Sequence, residues 1–173
     1  MQQVTIKDTT SPTILPPEDI IVSATSLSGT NVVLNPPTAN DLVSDITIDN
    51  DSIGVFPFGE TIVTWSATDE SGNISHVKQL VNVIDDSPPE LQTPEDIVID
   101  ASSLENIIDI GVSLALDMID SQPIISNDAP EFFPLGETTV TWTAIDASGN
   151  SVTSSQLVDI QACGNSISYY NMI

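Results

Sequence analysis

Arginine is absent from this chain, and lysine occurs only as Lys7 and Lys78, against 25 acidic side chains. The net charge of −23 leaves no basic cluster with which to hold nucleic acid or an anionic membrane surface. There is one histidine, His76, and one cysteine, Cys163. A lone thiol forms no internal disulfide, and no His/Cys set exists for a zinc site. No apolar run approaches the ~20 residues that a membrane-crossing helix needs. The opening Met1-Gln-Gln-Val lacks the pattern of a signal peptide. Catalysis has little to draw on: His76 falls mid-strand, and no phosphate loop or Ser-His-Asp constellation is evident. The expectation is a protein that is not an enzyme and carries no cofactor.

What the chain does have is a repeat. Phe56–Asn73 reads FPFGETIVTWSATDESGN, and Phe133–Asn150 reads FPLGETTVTWTAIDASGN; 13 of 18 positions match without a gap. The spacing is 142 − 65 = 77 residues from Trp65 to Trp142. A repeat of this length makes each copy a structural unit. Phe-Pro-x-Gly is turn chemistry: Pro presets φ and Gly accepts positive φ. The segment after it alternates, with Val140, Trp142 and Ala144 on one face and Thr139, Thr141 and Thr143 on the other. That period of two, rich in β-branched residues, predicts a half-buried strand with Trp inward. Asp-x-Ser-Gly-Asn predicts the next turn, and a second strand follows.

These motifs, with Pro-x-Asp-Ile-x-Val near the start of each copy, resemble the hyalin repeat (HYR) family. The resemblance covers nearly the whole chain. It implies an all-β protein of two tandem immunoglobulin-like β-sandwich domains. It further implies an extracellular or cell-surface adhesive role and no catalytic residue. Many family members carry cysteines; these two units have none in the motif region, so no unit disulfide is implied.

The expected division is 1–7 as a leading strand, 8–84 as unit one, 85–161 as unit two and 162–173 as a tail. Strands are expected at Ile20–Ala24, Val32–Leu34, Asp45–Asp49, Thr61–Thr68 and Ile74–Ile84, about seven per unit. Unit two repeats the plan with Ile97–Ala101, Ile107–Leu116 and Pro123–Ser126. Asp109–Met118 has a helix-like look, but the ungapped repeat sets it over Val32–Asp41, as strand plus loop. Shifted by 77, Val4 and Ile6 fall on Val81 and Val83, so residues 1–7 read as the last strand of another unit.

Three candidate features remain. Calcium takes clustered oxygens, and Asp69 with Asn73, Asp146 with Asn150, and the junction pair Asp85 and Asp86 supply them. At the hairpins, Asp and Asn bonding their own turn is the stronger reading. At the junction, Asp85 and Asp86 sit where calcium rigidifies other tandem sandwiches, and metal stands there as a second reading behind ordinary structure. Asn50-Asp-Ser52 and Asn73-Ile-Ser75 match the acceptor signal for N-glycosylation. Finally, the leading strand or the uncharged tail Ser166–Ile173 could add to the open sheet edge of another copy. Head-to-tail addition of this kind gives filaments. The expected partners are therefore copies of the chain or neighbouring repeats. A module binding carbohydrate or protein within a larger secreted protein is the alternative.

Overall fold

The computed structural model describes residues 2–4, 6–103 and 105–162. It divides into two compact units, Met1–Asp86 and Ser87–Ile173. Every regular element among the described residues is a β-strand.

Unit one contains β1 (Thr13–Ile14), β2 (Ile20–Ser23), β3 (Thr30–Asn31), β4 (Ala39–Asn40), β5 (Ile46–Asn50), β6 (Val55–Phe56), β7 (Gly59–Asp69) and β8 (Ile74–Ile84). One layer has the order β2-β8-β7-β5, with β2 parallel to β8 and the other pairs antiparallel. The short ladders β1–β4 and β3–β6 supply strands opposite it. This is an immunoglobulin-like sandwich. Alternation fills it: Val63, Trp65 and Ala67 of β7 and Val81 and Val83 of β8 are buried, with Ile14, Val32, Leu34 and Ile48 packed against the cluster. Trp65 is 3% exposed and its counterpart Trp142 is 4% exposed, so both anchors point inward as the alternation predicts.

Unit two contains β9 (Glu90–Gln92), β10 (Ile97–Asp100), β11 (Leu114–Leu116), β12 (Ile124–Asn127), β13 (Gly136–Ile145) and β14 (Ser151–Gln161). The order β10-β14-β13-β12 repeats the main layer, again with the first pair parallel. The ladder β9–β11 and a bridge from Asn106 to Phe133 complete it. The Asp of each Pro-x-Asp-Ile motif fixes the parallel strand. Asp19 accepts the Leu80 N–H and Asp96 the Leu157 N–H, both at 2.8 Å.

Each core also holds a buried glutamine. The Trp65 indole N–H donates to Gln79 Oε1 at 2.9 Å, and Gln79 Nε2 donates to the Glu18 carbonyl at 2.7 Å. Trp142 donates to Gln156 Oε1 at 3.1 Å, and Gln156 Nε2 reaches the Glu95 and Ile110 carbonyls at 2.8 and 3.1 Å. A buried indole N–H needs an acceptor, and the partner strand supplies one.

Several sequence expectations change. The strand expected at Val32–Leu34 lies at Thr30–Asn31, because β6 offers only a two-residue partner. Of Ile107–Leu116 only Leu114–Leu116 is strand; Gly111, at φ 81°, bends the chain before it. Phe56 and Phe133, expected in turns, are each 2% exposed and belong to the cores. The turn is made by the residues after them, closing at Gly59 with φ 95° and Gly136 with φ 93°. The described residues of 1–7 lie outside any strand, and Val4 and Ile6 are exposed. Cys163 and the tail Ser166–Ile173 lie outside the described residues.

Candidate functional site

The β7–β8 hairpin of unit one positions the most concentrated chemistry. Gly72, at φ 85°, lets the chain reverse in four residues. Gly72 N–H donates to the Asp69 carbonyl at 3.1 Å. Both carboxylate oxygens of Asp69 serve the turn: Oδ1 accepts the Asn73 N–H at 2.8 Å and Oδ2 accepts Asn73 Nδ2 at 2.7 Å. Unit two repeats this latch between Asp146 and Asn150, at 2.8 Å for both bonds. The turn reading of these two pairs is thus what the geometry displays.

Asp69 and Asp146 are each 5% exposed. Desolvation pushes each carboxyl up. The hydrogen bonds from the Asn73 or Asn150 side chain and from the turn's backbone N–H groups together outweigh it, and each group lies below the ordinary 3.8. Asp51 is also lowered, chiefly by the Thr64 backbone N–H, which donates to it at 2.8 Å.

Two further aspartates converge on Asp69. Ligand oxygens of Asp8, Asp41 and Asp69 lie within 4.8 Å of one another. Asp8 arrives from the start of the unit and Asp41 from the loop after β4. Asp41 Oδ1 is steadied by the Val43 and Ser44 N–H groups at 2.8 and 3.0 Å. Asp8 Oδ1 accepts the Thr10 N–H at 3.0 Å, whereas Asp8 Oδ2 is buried and receives no hydrogen bond. Two oxygens that each sit ~2.4 Å from one calcium ion are at most ~4.8 Å apart, so this spacing fits a hard divalent cation. Three carboxylates at that distance repel one another, and a buried carboxylate oxygen without a donor is costly.

Sequence reasoning found Asp69 and missed Asp8 and Asp41. It proposed Asn73 beside Asp69, but the Asn73 amide nitrogen faces the Asp69 carboxylate. Asp86 is not one of the three clustered carboxylates of this unit; it accepts the Ser23 hydroxyl at 2.6 Å. Asp85 is the register counterpart of Asp8; eight residues separate each from the proline that opens its Pro-x-Asp-Ile motif. His76 Nδ1 lies 3.0 Å from Ser66 Oγ, as a cross-strand pair on the outer face of the sheet.

The comparisons with known proteins bear on the same residues. Residues 7–83, nearly all of unit one, match the HYR domain family. The chain carries, in residues 7–83, a repeat that belongs to the hyalin repeat family. It is 31% identical to hyalin of Strongylocentrotus purpuratus over 89% of its own length, and 30% identical to hyalin of Lytechinus variegatus over 88%. It spans 14% and 31% of those two proteins, so each is much longer than the stretch matched. A rat protein described by its sushi, von Willebrand factor type A, EGF and pentraxin domains is 30% identical over 88% of the chain, with 4% of its own length covered. Among solved structures, Sidekick-1 immunoglobulin domains 1–4 align over 87% of this chain and 49% of that one, with a TM-score of 0.48 and 15% identity. Human protocadherin-24 EC1-2 aligns over 87% and 99%, with a TM-score of 0.43 and 13% identity.

Proposed function

We propose that this chain is a non-catalytic, extracellular adhesive repeat whose units are stiffened by a divalent cation, calcium being the best fit. The observation that carries the cation is the convergence of Asp8, Asp41 and Asp69, with Asp8 Oδ2 buried and without a hydrogen bond. A bound ion would supply the positive charge that this chain, with two basic side chains, cannot. It would also tie the start of the unit and the β4–β5 loop to the hairpin. The family membership and the surplus of carboxylates support the adhesive, extracellular part of the reading.

The experiment is thermal unfolding in EDTA and in millimolar calcium, with Asp8→Asn and Asp41→Asn as variants. Calcium is expected to raise the melting temperature of the parent chain and to leave both variants unmoved. Equal melting temperatures of the parent with and without calcium would return the trio to an ordinary acidic surface.

The partners in this reading are copies of the chain or neighbouring repeats, rather than a soluble glycan. Strand addition is its finer form. Val4 and Ile6 are 76% and 93% exposed, while their register counterparts Val81, Val83, Val158 and Ile160 are at most 1% exposed. A segment with the pattern of a core strand, lying outside a core, suits donation to another unit. Deleting Met1 to Lys7 should then abolish long assemblies in electron micrographs while circular dichroism stays unchanged. An intact chain that remains monomeric at high concentration would remove strand addition and leave the repeat reading standing.

A further inference from the structure

We propose that Asn50 is an N-glycan acceptor and that Asn73, which carries the same three-residue signal, is not. The inference rests on the extracellular reading for its relevance in the native setting, but acceptor competence can be measured apart from it. In glycan transfer, the amide Nδ2 forms a bond to C1 of the reducing sugar. The C1–O bond to the lipid diphosphate carrier breaks, and the amide loses one proton. The acceptor nitrogen must therefore be free to surrender a hydrogen and must have room for a sugar.

Asn73 meets neither condition in the folded unit. Its Nδ2 donates to Asp69 Oδ2 at 2.7 Å and to the Asp8 carbonyl at 3.4 Å, so both hydrogens point into the hairpin latch. A sugar there would displace the residues that hold the turn. Asn50 differs. Its Oδ1 accepts the Ser52 N–H at 3.0 Å, an Asx turn that brings the hydroxyl residue of the signal beside the amide. Its Nδ2 makes no hydrogen bond to the described residues. Asn50 is half-buried at the end of the edge strand β5, next to an open cleft lined by Asp49, Asp51, Thr64, Ser66 and His76 on the outward positions of the sheet. The Asp51 carboxylate is held away by the Thr64 N–H.

Unit two contains the natural control. Asn127 Oδ1 accepts the Ala129 N–H at 3.1 Å, the same turn at the same place. Ala129 has no hydroxyl, so Asn-Asp-Ala is not an acceptor signal. The consequence is asymmetric. β5 and β12 are the corresponding edge strands of the two main layers. A glycan at the end of β5 shields that edge from pairing with another chain and leaves β12 open.

The test is secretion of the full chain, behind an added leader, from cultured mammalian cells. Sensitivity to peptide-N-glycosidase is read by gel shift, and the site by the Asn-to-Asp mass change. One glycan is expected, at Asn50. Ser52→Ala, which installs the residue that unit two already has, should remove it; Ser75→Ala should leave it. Ala129→Ser should add a second glycan at Asn127. A secreted chain without glycan, or a shift that survives Ser52→Ala and disappears with Ser75→Ala, overturns the proposal. Neither result touches the extracellular reading, which stands or falls on where the native protein is found.

Discussion

Replacing the core glutamines by methionine separates the two units by hydrogen-bond count alone. Methionine approximates the length of glutamine, so the perturbation removes polar partners and leaves the volume filled. In unit one, Gln79→Met orphans the Trp65 indole N–H and the Glu18 carbonyl. In unit two, Gln156→Met orphans the Trp142 indole N–H and two carbonyls, those of Glu95 and Ile110. A buried donor left without a partner costs about 1–3 kcal/mol. The carbonyls are only part-buried and can recover some hydration, so each is set at about 0.5–1.5 kcal/mol. The expected losses are then about 1.5–4.5 kcal/mol for Gln79→Met and about 2–6 kcal/mol for Gln156→Met. A unit of this size has roughly 4–12 kcal/mol in total, so either loss is a large share. The assay is urea unfolding followed by the indole N–H signals in NMR spectra. Each unit has a single Trp, so each signal reports one unit without assuming a common transition. A loss below about 1 kcal/mol in both variants would mean that water satisfies these groups, and the buried glutamine would be no determinant of stability. A larger loss from Gln79→Met than from Gln156→Met would refute the count itself.

Trp65→Ala and Trp142→Ala should each destabilise their own unit by about 3–5 kcal/mol, as truncating a buried aromatic does; the indole signal of the other unit should melt unchanged. Acid should weaken the fold in a defined window. The carboxyls of Asp51, Asp69 and Asp146 lie below the ordinary 3.8 in the folded chain, so in acid the unfolded chain binds protons first. Their contribution is complete above the unfolded value and drains away as pH falls below about 4. Thermal melts from pH 7 to pH 2 should therefore hold until that region and then fall, and a midpoint that rises below pH 4 would contradict the sign.

Much of the fold could be read from period and turn chemistry. The β8 bounds at Ile74–Ile84, the inward Trp pair and the absence of helix at Asp109–Met118 follow from alternation and from the repeat. The aspartate trio was hidden by the same device that made the fold legible. An ungapped shift of 77 sets Asp41 over Met118, and no shared carboxylate appears. The backbone uses a shift of 76 across this stretch. Thr30 pairs with Phe56, and Asn106 with Phe133; Asn40 pairs with Thr13, and Leu116 with Glu90. The hydrogen bonds agree: Thr30 Oγ1 accepts the Thr25 N–H at 3.0 Å and Asn106 Oδ1 accepts the Ser102 N–H at 3.1 Å. Unit two is therefore one residue shorter before β11. It regains that residue before β12, where Thr47 over Thr68 and Ile124 over Ile145 are again 77 apart. Read with this offset, Asp41 corresponds to Asp117, and both act as Asx-turn acceptors: Asp117 Oδ1 takes the Ile119 and Asp120 N–H groups at 2.8 and 2.7 Å. The shift lies in loops, where a one-residue change costs little. Strands tolerate no such slip, because one residue turns every side chain to the other face. That asymmetry explains why the strands can be read from one gapless alignment and the loop aspartates cannot. It also makes the preserved pair informative, since Asp41 and Asp117 hold the same turn within a stretch whose offset differs from that of the strands.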